Sequence, residues 1–164
     1  MDYFPLSLAL GKAFCDRKKE LKILSQNLVE SRPTLISSPR RYGKTSLVLN
    51  AIANVELPYA QFDFLTAINE SDIEKIILQG IGGLISRNEK TAAKILKVAT
   101  DFFSGLNLKF TFDRPGLAIE VGRKTTAPAP SILEVLEKAE KLSEKIRRKI
   151  VLFFDEFQQI YTIT

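Results

Sequence analysis

The sequence has no histidine and no tryptophan, and Cys15 is its single cysteine. One cysteine cannot form a disulfide within the chain, and such sparse use fits a reducing compartment. Without histidine or a second cysteine, a zinc site and a Cys–His nucleophile are both disfavoured. We interpret Cys15 as a small packing residue.

Long apolar runs are also missing. No stretch of about 18 apolar residues is present, so the sequence predicts no transmembrane helix. The first ten residues are apolar, but they lack a basic segment and include Pro5, which argues against a signal peptide. We expect them to pack as a short arm. Together these absences predict a cytoplasmic protein without a membrane partner.

Positive charge is in modest excess, with a net charge of +5. The basic residues form short clusters at 17–19 and 147–149, and no aromatic residues are interleaved with them. This pattern favours solvated helix faces over a nucleic-acid surface, so nucleic acid is a weakly supported partner. The length of 164 residues suits a single domain, predicted over residues 1–164.

A phosphate-binding loop is the strongest motif. Residues 37–46 read SSPRRYGKTS, which matches the pattern G-x-x-x-x-G-K-[ST] with Ser38 in the first glycine position. The preceding residues 33–37 predict a short strand, and residues 46–52 predict a helix. Strand, loop and helix are the setting that this motif requires. The alternative interpretation is a basic surface turn.

Such a loop binds a nucleoside triphosphate at a helix N-terminus. Lys44 would reach the β- and γ-phosphates as a catalytic cation, and the Thr45 hydroxyl would ligate Mg²⁺. The predicted nucleotide-binding residues are Ser38, Pro39, Arg40, Arg41, Tyr42, Gly43, Lys44, Thr45 and Ser46.

A second motif lies near the other end of the chain. Residues 150–156 form an apolar run closed by Asp155 and Glu156. The run predicts a parallel strand buried on both faces, with the carboxylates at its carboxyl end, where ligands bind in open α/β sheets. As a Walker B motif, Asp155 would hold Mg²⁺ and Glu156 would activate water. A polar strand end or helix cap is the alternative for this pair.

Three segments together resemble the prokaryotic AAA+/STAND ATPases, the archaeal-type ATPase domain family. They are Phe14–Leu21, which is similar to an entry box containing G-R-E-x-E-L, Pro39–Leu47, similar to P-R-R-x-G-K-T-S-L, and the D-E-F-Q of residues 155–158. The glycine of the entry box is replaced by Asp16 or Cys15, depending on the alignment. The resemblance implies ATP and Mg²⁺ as cofactors, and a three-layer α/β/α P-loop NTPase sandwich with a mainly parallel sheet.

The remaining patterns complete the predicted order of elements. Asp16 is the predicted cap of a helix ending at about residue 30, and a strand lies within residues 57–67. Ser71 opens a capping box and a helix to about residue 87. Further helices are predicted at 89–103 and 131–148. Alternating residues predict a β-hairpin insertion at 106–121, followed by a linker at 122–130.

The sequence ends at Thr164, shortly after the second motif, so we expect a sheet incomplete at the C-terminus. The family's sensor strand and arginine finger are not encoded, which predicts a truncated ATPase domain. Three hypotheses stay open: an ATP-hydrolysing domain, a nucleotide-dependent interaction module that presents the hairpin, and a degenerate fragment without turnover. A protein partner or a homo-oligomer is compatible with each.

Overall fold

A computed structural model of the chain describes residues 8–86, 108–113, 118–123 and 132–163. The chain divides into two compact units, Met1–Leu57 and Pro58–Thr164, which are described separately. In chain order the elements are η1 (Gly11–Ala13), α1 (Lys18–Val29), α2 (Lys44–Val55), β1 (Tyr59–Asp63), α3 (Glu70–Ser86), β2 (Leu108–Asp113), β3 (Ala118–Arg123), α4 (Ile132–Ile146), β4 (Val151–Asp155) and η2 (Phe157–Thr162).

The first unit is built on the packing of α1 against α2. Leu24 of α1 is buried, and half of the residues of α2 are buried. The buried apolar residues of this unit are Leu24, Leu47, Val48, Ala51 and Ile52. Both predicted helices are therefore confirmed, and α2 follows the loop as the motif requires.

The start of α1 differs from its prediction, because Asp16 is not the helix cap. The N-cap is Arg17, and no side chain makes a capping hydrogen bond there. Asp16 has φ +68°, a left-handed conformation that turns the chain just before the helix. Glycine adopts this conformation without steric cost, while aspartate tolerates it. Asp16, one of the two residues that align with the entry-box glycine, thus has a backbone conformation that glycine adopts readily.

The strand predicted at residues 33–37 is not formed. These residues have no regular secondary structure, and Leu35 is 91% exposed. A strand requires a neighbour that pairs with its backbone. The strands described in the structure pair only as β1 with β4 and β2 with β3. An apolar, β-branched run was therefore insufficient to predict a strand here.

The second unit contains a parallel pair of strands, β1 and β4, with α3 packed against β1. Its core joins β1 to α3 and includes Phe62, Phe64, Ile77 and Leu84. The register places Tyr59 opposite Val151 and continues to the ends of both strands. This arrangement confirms an α/β fold with a parallel sheet, which is incomplete within the described residues.

Strand β4 is less buried than its apolar sequence predicts. Its first four residues are half-buried, and only Asp155 at its end is buried. Within the described part of the chain, β4 has β1 as its one strand neighbour. The Phe154 ring still stacks on Phe62, with centroids 4.9 Å apart. The prediction of a strand is confirmed, but burial on both faces would require further layers around it.

Helix α3 begins one residue before the predicted capping box. Asn69 caps it, because its side-chain oxygen accepts a hydrogen bond from the Asp72 N–H at 3.0 Å. The Asp72 carboxylate in turn accepts from the Ile68 N–H at 3.2 Å. The reciprocal bonds therefore involve Asn69 and Asp72 rather than Ser71.

Strands β2 and β3, at the hairpin predicted for 106–121, pair antiparallel with Phe110 opposite Val121, and β3 continues to Arg123. Helix α3 lies against β3. The linker predicted at 122–130 overlaps β3 at its first two residues, and the rest lies outside the described residues. The predicted helix at 89–103, the arm before residue 8 and Ser131 also lie outside them. No described helix is both long and apolar enough to cross a membrane.

Gly80 provides a test of the packing between α3 and β1. A Cβ at Gly80 would lie 2.4 Å from Cδ1 of Phe62 and 2.6 Å from the Gln61 carbonyl oxygen. Because one of these neighbours is backbone, we expect Gly80→Ala to destabilise the protein by roughly 1–3 kcal/mol. Urea unfolding measures the change. Gln79→Ala at the adjacent exposed position is the control, and equal stability of the two variants would contradict this packing.

Candidate functional site

The predicted phosphate loop enters α2 through two left-handed residues. Arg41 has φ +65° and Gly43 has φ +68°. A Cβ added to Gly43 would meet no atom within 4 Å, so glycine is favoured there by backbone conformation and not by space. Helix α2 begins immediately afterwards, and the Leu47 N–H donates to the Gly43 carbonyl at 2.9 Å. The loop therefore leads directly to a helix N-terminus, where backbone N–H groups favour an anion.

Lys44 closes the loop on itself. Its Nζ donates to the carbonyl oxygens of Ser38 at 3.1 Å and Pro39 at 3.4 Å. The hydroxyl of Ser38 is buried and has no hydrogen-bond partner among the described residues. The structure thus brings both ends of the motif together around an ammonium group. A buried hydroxyl, an ammonium and a helix N-terminus are donors that suit a phosphate group.

The middle of the loop is open to solvent. Arg40, Arg41 and Tyr42 are exposed, with Tyr42 66% exposed. Two exposed guanidinium groups and a ring at this position leave the loop accessible from outside the unit. Their roles in nucleotide binding stay predictions from the motif.

Arg17 is a contact to the loop that the sequence did not reveal. Its Nη1 donates to the carbonyl of Tyr42 at 2.9 Å, and its Nε donates to Glu20 at 3.3 Å. A backbone hydrogen bond and then the bond from Arg17 lower the pKa of Glu20. The sequence favours a solvated helix face for the basic cluster at 17–19, but its first member is the N-cap of α1 and bonds to the predicted phosphate loop.

Ser46 and Asn50 hold the N-terminal segment against α2. The Ala9 N–H donates to Ser46 Oγ at 3.1 Å, and the Gly11 N–H donates to Asn50 Oδ1 at 2.9 Å. Asn50 Nδ2 donates to the carbonyls of Ala9 at 2.9 Å and Ser46 at 2.7 Å. Ser46, the residue after Thr45, is therefore buried, and its hydroxyl oxygen accepts a hydrogen bond from the N-terminal segment. A buried asparagine inside an apolar helix pattern was the signal for this contact.

The second predicted part of the site lies in the other unit, at the carboxyl end of the parallel strands. Asp155 is 8% exposed, and its backbone carbonyl accepts from the Phe64 N–H at 3.1 Å. The exposed Asp63 lies opposite it in register at the end of β1. Its Oδ1 accepts from the Leu65 N–H at 3.0 Å. Among the described residues, no three histidine, cysteine, aspartate or glutamate side chains are grouped so that they could hold a metal ion.

Glu156 follows Asp155 in a left-handed conformation, with φ +50° and ψ +35°. Its N–H donates to Asp155 Oδ1 at 3.1 Å, so the two predicted carboxylate residues are directly linked. Gln158 Nε2 donates to Glu156 Oε2. This left-handed turn ends β4 and begins η2.

Comparison with known proteins identifies the family of this chain. Residues 14–164 match a family described as an ATPase domain predominantly from Archaea. The chain belongs to this family. No curated protein and no solved structure matches it significantly. For this ATPase domain, family membership indicates nucleotide binding.

Asn50 tests the attachment of the N-terminal segment to α2 in this ATPase domain. Asn50→Ala removes three hydrogen bonds and leaves the Gly11 N–H and Ala9 carbonyl without that partner. We expect a loss of about 2 kcal/mol or more, measured by urea unfolding. Asn54→Ala, the same change at an exposed position of α2, is the control. If both variants lost the same stability, the asparagine bonds would not hold the segment.

Proposed function

We propose that this chain binds ATP with Mg²⁺ and hydrolyses it to ADP and inorganic phosphate, as a member of the AAA+/STAND group. The observation that carries the proposal is the Lys44 ammonium, held by the Ser38 and Pro39 carbonyls beside the N-terminus of α2. Two neutral carbonyls are weaker acceptors than a polyphosphate, so a nucleotide can compete for this cation. The family match over residues 14–164 supports the same conclusion.

Binding is assigned to the loop and to two Mg²⁺ ligands. Residues 38–46 would surround the phosphates with backbone N–H groups, and the Ser38 hydroxyl offers an additional donor. Thr45 and Asp155 would each offer an oxygen ligand of the kind that Mg²⁺ prefers. The position of Asp155 at the end of β4 supports this role, because ligands bind at the carboxyl ends of parallel strands.

Hydrolysis is assigned to Glu156 acting on a water molecule. The water oxygen forms a bond to the γ-phosphorus while the bond from that phosphorus to the β–γ bridging oxygen breaks. The carboxylate of Glu156 takes the proton that the water loses, and ADP leaves with the bond's electron pair. Lys44 and Mg²⁺ would stabilise the charge on the transferred phosphoryl group.

The second candidate function is an interaction module that binds ATP without turnover. The formed antiparallel pair of β2 and β3 favours it, since a hairpin offers a surface for a partner protein. However, α3 lies against β3, so the hairpin also contributes to the packing of its unit. Binding and turnover measured separately distinguish this module from the hydrolase, and a degenerate fragment would do neither.

Binding is tested by thermal unfolding with and without MgATP. At about 100 times the dissociation constant, we expect nucleotide to stabilise the parent chain by about 2.7 kcal/mol. Lys44→Ala should lose this stabilisation because it removes the cation of the loop. Lys22→Ala, on the exposed face of α1, is the charge-matched control and should retain it. A parent chain with a cooperative transition that MgATP does not shift would refute nucleotide binding.

Turnover is tested by release of inorganic phosphate. Glu156→Gln keeps the size of the side chain but removes the base, so we expect kcat to fall roughly 10²–10⁴-fold while MgATP binding survives. Glu140→Gln makes the same change at an exposed position of α4 and should behave as the parent. Normal hydrolysis by Glu156→Gln would show that another group activates the water.

A further inference from the structure

Glu156 is held by three hydrogen bonds from its immediate neighbours. Its N–H donates to Asp155 Oδ1 at 3.1 Å, and its carbonyl accepts from the Gln159 N–H at 3.0 Å. Gln158 Nε2 donates to its carboxylate at Oε2. The first two bonds fix the backbone of Glu156, and the third fixes its side chain. All three lie within residues 155–159 of one unit.

The backbone conformation of Glu156 requires such support. A φ of +50° is uncommon for a residue with a long side chain. Conformations of this kind persist where the surroundings determine them, and they cluster at functional sites. Glycine would adopt the same turn more readily, but it would provide no carboxylate. The turn thus combines a strained backbone with an acidic side chain whose position is set by a neighbouring amide.

We infer that Gln158 is a positioning residue for the Glu156 carboxylate, an inference that rests on the proposed hydrolysis. A glutamate side chain has several rotatable bonds, so an exposed one samples many orientations. The amide of Gln158 engages Oε2 and selects orientations that present Oε1 to a water molecule. Because the amide is neutral and holds its protons at neutral pH, it orients the base without competing with it for a proton.

The fold does not depend on this bond. Gln158 is exposed, while Phe157 anchors the same turn by packing edge-on against Phe64 and Phe154, with centroids 6.1 and 5.8 Å apart. Replacement of Gln158 should therefore leave the turn and the unit intact. An effect on turnover would reflect the orientation of the carboxylate and not a loss of structure.

The experiment compares Gln158→Met with Gln159→Met in the full chain. Methionine keeps the length of the side chain but removes the amide donor. We expect Gln158→Met to lower kcat on the order of tenfold, with the Kd for MgATP changed less than twofold. Gln159→Met is the matched control, because only the backbone of Gln159 contacts Glu156 among the bonds described, and it should keep the parent kcat. Gln158→Glu places a second carboxylate beside that of Glu156, so its kcat should be lower than that of Gln158→Met.

A second measurement does not depend on activity. In the NMR spectrum of the parent chain, we expect the Gln158 side-chain amide protons to be displaced from the shifts of a free glutamine. They should move to those shifts in Glu156→Ala, while the Gln159 amide protons stay unchanged. Gln158 amide protons that do not move would overturn the inference.

The outcomes separate this inference from the proposed function. A Gln158→Met variant with an unchanged or raised kcat overturns the positioning role while hydrolysis stands. An equal loss in Gln159→Met overturns it as well, because the effect would then be general to the turn. A parent chain that binds MgATP without releasing phosphate overturns both the hydrolysis and the role of Gln158.

Discussion

Parallel pairing of β1 with β4 is the constraint on which the acidic part of the site depends. It aligns the two strands up to Asp63 and Asp155, so both aspartates end their strands at the same edge. The pairing is supported from one side by α3, whose Gly80 allows the helix to approach Phe62 closely. A larger residue at Gly80 would move the helix or the strand, and the position of Asp155 would change with it.

Residues in the left-handed conformation lie where regular elements meet the candidate site. Gly43 precedes α2 and Glu156 follows β4, and each reverses the sign of φ where an element meets the candidate site. The cost differs between them, since glycine adopts this conformation freely and a residue with a Cβ loses roughly 1–2 kcal/mol. Asp16 and Arg41 have the same conformation near the loop. The same conformation also follows helices away from the motifs, at Ser31, Glu56 and Arg147.

The sequence predicted those parts of the fold that local patterns determine. Helices α1, α2 and α3 and strands β1 and β4 follow from apolar periodicity and from motif context. The prediction of a strand at 33–37 was wrong because a strand depends on pairing with a distant segment, which a local sequence pattern does not reveal. The cap of α3 shifted from Ser71 to Asn69 because several residues there can cap a helix, and only the geometry of Asp72 decides among them.

Contacts between distant positions explain what the sequence missed in the candidate site. The bond from Arg17 to the Tyr42 carbonyl joins residues 25 positions apart, and the bond from Asn50 to Ala9 spans 41. No spacing rule predicts either. Gln158 is different, because it lies two positions from Glu156 and was visible within the D-E-F-Q segment. Its bond joins exposed groups, which typically contribute less than about 1 kcal/mol to stability. Such a residue leaves little trace in folding energetics, so its contribution is expected in the orientation of the carboxylate that it contacts.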